Sequence, residues 1–177
     1  SPPKLAYAPT GSLIAVYIVG KEVPGQRFPL SALRVVTSND DGETWTAPRT
    51  VTDGSVFGSH SFHALHAAAD GSIYVSWLGK PDTPAGNPKN DEHVAASTQT
   101  MGGMSDMPGM DHGSHSASAS WITRSTDGGM TWSPAVRVDM GEACPCCRTG
   151  LATTKGGALY MSWRHVFPGS VRDIVVA

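Results

Sequence analysis

A chain of 177 residues, 40 % hydrophobic with 20 Gly and 13 Pro, suffices for one turn-rich domain with a buried core and is not a disordered segment. Its formal charge of −2 gives no electrostatic basis for binding nucleic acid or an anionic membrane surface. No apolar run approaches the roughly 20 residues of a membrane span, and a first residue that is Ser rather than Met points to a processed chain.

In chain order, "TGSLIAVYIVGK" (10–21) and "ALRVVTS" (32–38) alternate as strands and lead into the box "SNDDGETW" (38–45). The strand "DGSIYVSWLGK" (70–80) follows. After a long interval "SWITRS" (120–125) enters a second box, "STDGGMTW" (125–132), and "PAVRV" (134–138) leaves it. "GGALYMSWRHV" (156–166) then matches 70–80, and "VRDIVVA" (171–177) matches the strands that enter the boxes. The boxes lie 87 positions apart (125 − 38), and Trp77 and Trp163 lie 86 apart (163 − 77). Two independent segments therefore repeat at nearly one period, and no stretch has helical periodicity. Four short strands per repeated unit are the pattern of propeller blades.

Such units usually run to about 50 residues, so the longer period implies an insertion of about 28 residues in the second unit. It is assigned to residues 91–119 as a Met/His-rich segment. The fold expected is all-β: a β-propeller with about three blades visible in 1–177, stopping mid-blade and so reading as part of a larger propeller. Self-association to complete the propeller is the alternative.

The two boxes resemble the Asp-box (bacterial neuraminidase) repeat, S-x-D-x-G-x-T-W, of sialidase-like propellers. Ser38, Asp40, Gly42, Thr44 and Trp45 fit it, as do Ser125, Asp127, Gly129, Thr131 and Trp132. Asp40 and Asp127 suit a tight hairpin as acceptors of backbone N–H groups, and Gly42 and Gly129 supply positive φ. The resemblance implies a structural, peripheral device. It also implies, for a sialidase, an arginine triad, a Tyr–Glu pair and an Asp acid. Arg148, Arg164 and Arg172 are available as arginines, with inter-blade salt bridges as their alternative use, but no R-I-P motif and no assignable Tyr–Glu pair accompany them.

All three cysteines fall in "CPCC", as Cys144, Cys146 and Cys147. A disulfide framework would spread its cysteines. This cluster is a metal-ligand set, a disulfide (Cys144–Cys147 or the vicinal pair) or a group of inert thiols. Aligning the units at an offset of 86 sets His60 on Cys146 and His63 on Thr149, at the start of the innermost strand. Both histidines are thereby expected near the thiols. His63 and His66, three apart on a strand, point to opposite faces, so His66 is expected to be a packed or hydrogen-bonded histidine. His93 and His165 carry no positional argument.

In "MGGMSDMPGMDHGSH" (101–115), Gly102, Gly103, Pro108, Gly109 and Gly113 oppose a helix, so Met101, Met104, Met107, Met110, His112 and His115 read as a flexible chelating string. Thioether, thiolate and imidazole select Cu(I) or Zn over hard cations, whereas Asp106 and Asp111 would suit Cu(II). The string resembles the Met/His-rich segments of periplasmic copper-resistance proteins. "CPCCRT", with Trp163, Arg164, Arg172, Asp173 and Ile174, resembles exported bacterial Asp-box propellers carrying C-x-C-C-[RK]-T. The function expected is that of a periplasmic or secreted copper-binding propeller. The Met/His string would recruit Cu(I), and Cys144, Cys146 and Cys147, with His60 and His63, would hold it. The alternatives are a sialidase-like glycoside hydrolase with most catalytic residues outside this chain, and a non-catalytic scaffold engaging a glycan or protein.

Overall fold

The alternating segments all become strands. The computed structural model describes residues 1–25, 29–51, 57–80 and 118–177. The first sheet holds β1 (Lys4–Tyr7), β2 (Leu13–Lys21), β3 (Leu30–Ser38) and β4 (Arg49–Thr50), and the second holds β5 (Ser61–Ala67), β6 (Ile73–Gly79), β7 (Ala119–Ser125) and β8 (Val136–Arg137). The third comprises β9 (Glu142–Ala143), β10 (Gly150–Thr153), β11 (Leu159–Phe167) and β12 (Val171–Val176). Every pairing is antiparallel between neighbours in sequence, except that β9 and β10 share one edge of β11. The helical content of the described residues is a single 3₁₀ turn, Pro168–Ser170. Strand β1 packs beside β5, and β5 beside β10, so the leading strands of successive sheets lie side by side as the inner strands of propeller blades do.

The cores lie between sheets. Ile14, Val16, Leu33 and Val35 of the first sheet pack with Ile73, Val75 and Trp77 of β6. The neighbouring residue Leu78 points the other way and joins Ala143, Met161 and Trp163 of the third unit. A strand buried on both faces reads as a near-continuous apolar run, and "IYVSWLG" does so.

Each Asp box closes the turn from the third to the fourth strand of its sheet. In the first, Ser38 Oγ accepts the Gly42 N–H (2.8 Å) and donates to Asp40 Oδ1 (2.7 Å), which also accepts the Thr44 N–H (2.8 Å). In the second, Ser125 Oγ accepts the Gly129 N–H (3.0 Å) and Asp127 Oδ1 accepts those of Met130 and Thr131. Two consecutive residues have positive φ in each turn, Asp41–Gly42 and Gly128–Gly129, one more than the box pattern requires. Trp132 packs against the first core, while Trp45 is 41 % exposed and donates its Nε1–H to Gly42 O at 3.0 Å. Because the strands are antiparallel, the box turns lie at one end of the sheets. The end of β6, the start of β7 and the residues entering β5 and β10 lie at the other end.

Most of the insertion expected at 91–119 is outside the described residues. Its last two residues belong to sheet structure: Ser118 bridges to Ala143, and Ala119 opens β7.

Truncating the fully buried Ile73 removes apolar atoms from the first inter-sheet core. Ile73→Ala should lower stability by about 2–5 kcal/mol in urea unfolding. The Thr131 hydroxyl and N–H hold the Asp127 carboxyl down at about 2, against an ordinary 3.8. A depressed folded-state value means that this stabilisation is complete above about pH 4 and is lost as pH falls through about 2. Asp127→Asn should therefore destabilise the chain at pH 7 and flatten that acid dependence, as read by denaturant midpoints between the two limits.

Candidate metal centre

The cysteines occupy an interruption of the third sheet's innermost strand. Strand β9 ends with Ala143 opposite His165, and β10 begins with Gly150 opposite Ser162. Three steps along β11 (165 − 162) are thus matched by seven along the chain (150 − 143), and the surplus loops out. The second sheet has a smaller version of this loop. There Ser61 faces Leu78 and Ala64 faces Ser76, with one surplus residue in a bulge where Phe62 takes φ 50°.

The ladder corrects the expected register. Cys144 N–H donates to Arg164 O at 2.7 Å, so Cys144 faces Arg164 as Ser61 faces Leu78. Cys144 thus takes the place of Ser61, and His60 is not the counterpart of Cys146. The offset of 86 holds only beyond the loop, where Ala64 and Gly150 correspond.

Within the loop, Cys147 N–H donates to Cys144 O at 3.3 Å, closing a four-residue turn with Pro145 at its second position, where the ring presets φ. The three sulfurs converge at 3.1 Å (Cys144–Cys146), 3.6 Å (Cys144–Cys147) and 3.7 Å (Cys146–Cys147). All are far beyond the ~2.05 Å of a disulfide, and all three cysteines are free. Two sulfurs on a tetrahedral ion with bonds of ~2.3 Å sit roughly 3.8 Å apart. Two of the three separations already match that edge, and the third must open by about 0.7 Å. Among the described residues, these thiols form the one His/Cys/Asp/Glu group with ligand atoms mutually within 4.8 Å.

The thiols differ in setting. Burial pushes the Cys144 thiol up, but the Cys146 N–H, the two neighbouring thiols and the charge of Arg172 outweigh it and bring it below the ordinary value. Cys146, exposed and hydrogen-bonded to Cys144 and Cys147, is pushed up to about 11. Arg164 Nη1 donates to Cys147 Sγ at 3.7 Å. The ion pairs among the described residues are Arg124–Asp70 and His165–Asp139, so neither Arg164 nor Arg172 has a carboxylate within 4.0 Å there. The inter-blade salt bridges expected as one use of these arginines are not formed among those residues.

Both flanks of the turn are tied to the second sheet. Ala143 N–H donates to Ser118 O at 2.7 Å. On the far side Thr149 Oγ1 donates to Phe62 O at 3.3 Å and shares a 2.8 Å hydrogen bond with the buried Ser76 hydroxyl.

The histidines are placed elsewhere. His60 Nδ1 lies 2.8 Å from Ser31 O, and its ring sits 5.5 Å from that of Trp77. His63 is fully buried with Nε2 3.1 Å from Val16 O, and its Nδ1 has no partner. Burial depresses both imidazoles below their ordinary value. Neither belongs to the thiol group. His66 Nε2 reaches Thr153 Oγ1 at 2.8 Å, so strand alternation sends His63 toward the first sheet and His66 toward the third. His165 Nδ1 pairs with Asp139 Oδ2 at 2.7 Å. Met101, Met104, Met107, Met110, His112, His115 and His93 lie outside the described residues. Met140, which the motif reading passed over, is 83 % exposed four residues before Cys144.

The chain resembles a solved structure titled Hadza microbial sialidase Hz136, with a TM-score of 0.59 at 21 % identity over 98 % of this chain. The fold is that of a sialidase-like β-propeller. The chain spans 34 % of the length of that sialidase. No protein-family model and no curated protein sequence matches it.

The clasp at Thr149 generates a prediction. Thr149→Val keeps the shape and the Thr149 N–H bond to Phe62 O but leaves the buried Ser76 Oγ without its partner, so the chain should lose about 1–3 kcal/mol in chemical denaturation.

Proposed function

We propose that this propeller is an exported, periplasmic or secreted copper-binding protein that holds Cu(I) at Cys144, Cys146 and Cys147. The observation that carries this reading is the convergence of three free thiols within 3.1–3.7 Å in a turn tied down on both sides. Thiolates are soft donors and favour Cu(I) over hard cations. The ~10–16 kcal/mol scale of thiolate–metal binding greatly exceeds the small adjustment the sulfurs need.

The Met/His string serves as the recruiting element in this reading. Its support is the sequence, which gathers four methionines and two histidines within 101–115. Such a string of soft ligands in the same chain would raise the local concentration of copper available to the thiols.

Anaerobic competition titration with a colorimetric Cu(I) chelator tests this. The full chain should take up Cu(I) with high affinity. The Cys144→Ser/Cys146→Ser/Cys147→Ser variant should lose that affinity, while deletion of 101–115 should slow loading from dilute copper with little change in equilibrium affinity. Copper uptake by a folded triple-serine variant equal to that of the unsubstituted chain would overturn the assignment.

A further inference from the structure

One guanidinium group touches the thiols and a second lies beside it. In the β11–β12 ladder Arg164 faces Ile174, and Arg172 faces Val166. The two arginines are therefore diagonal neighbours on one face of the hairpin. The two guanidinium groups repel one another and favour negative charge near them. The group on hand is a sulfur: Arg164 Nη1 lies 3.7 Å from Cys147 Sγ, and the register sets Arg172 beside Arg164 on the same face. Within the described residues neither arginine has a carboxylate within 4.0 Å.

We propose that Arg164 and Arg172 are charge-compensating residues of the cysteine centre that shift its preference toward a monovalent over a divalent soft ion. This rests on the reading of the three thiols as a metal site. Binding displaces three protons from the neutral thiols to the buffer, so a monovalent cation leaves a dianionic centre and a divalent cation a monoanionic one. A neutral fourth ligand would change neither charge. Coulomb energy is linear in the charge of the centre, so each guanidinium stabilises the monovalent complex by twice as much free energy as the divalent one. The arginines thereby shift the centre toward the monovalent ion.

Separate Cu(I) and Zn(II) competition titrations of the full chain test this, with Arg164→Gln, Arg172→Gln and Arg164→Lys compared with the unsubstituted chain. An exposed, solvent-screened charge interaction corresponds to about a threefold change in affinity. Each Gln variant should thus bind Zn(II) about threefold more weakly, and Cu(I), at twice the free energy, about tenfold more weakly. Arg164→Lys should restore most of the Cu(I) loss. Equal losses for the two ions, no loss, or no rescue by Lys would overturn the proposal. The deficit of each Gln variant relative to the unsubstituted chain should shrink with rising non-coordinating salt, and by more for Cu(I) than for Zn(II). A deficit that salt leaves unchanged counts against the arginines. Copper binding indifferent to the cysteines refutes the metal site itself, which is a different result.

Discussion

Everything in this propeller depends on the sharing of apolar side chains between adjacent sheets, and strand β6 shows why. Ile73, Val75 and Trp77 are buried against the first sheet, while Leu78 is buried against the third. Each fully buried aliphatic or aromatic side chain contributes roughly 1.5–3 kcal/mol. No sheet has a core of its own. The sheets are therefore held in fixed relation, and the ends of their strands form a common rim on which loops can be placed with precision.

The cysteine turn uses that rim. It is an enlarged form of the bulge that the second sheet carries at Phe62, and the two interruptions meet through Thr149. One flank is hydrogen-bonded to Ser118 and the other to Phe62, so three sulfurs are gathered by a backbone that neighbouring sheets constrain. A metal centre gains from such support because its ligands are ordered before the ion arrives. The Asp boxes occupy the opposite end of the sheets. Their carboxylates accept backbone N–H groups and the Ser and Thr hydroxyls of their own turns, which makes them turn-builders.

The strand segments, the two boxes and the twofold recurrence at 86–87 residues were legible from the sequence because they rest on local alternation and local hydrogen bonding. The opposite orientation of His63 and His66 was legible for the same reason. The placement of His60 was not. An offset measured between Trp77 and Trp163 cannot reveal that the third sheet loops out three more residues before Gly150 than the second does before Ala64. The arginines were visible as residues, but their relation to sulfur arises from the β11–β12 register and the path of the cysteine turn.

By itself the sequence determined that the described residues form β-sheets, where their tight turns fall, and that the thiols lie within four consecutive positions. These are properties of short windows, set by side-chain period and turn chemistry. Only the tertiary structure decided that His60 and His63 serve the packing between sheets rather than the thiol cluster. It alone set the Arg164 guanidinium on a sulfur with Arg172 beside it, and brought Ser118 next to Ala143, the residue before Cys144. Those relations join residues distant in sequence, and they exist because buried apolar surface draws separate sheets together.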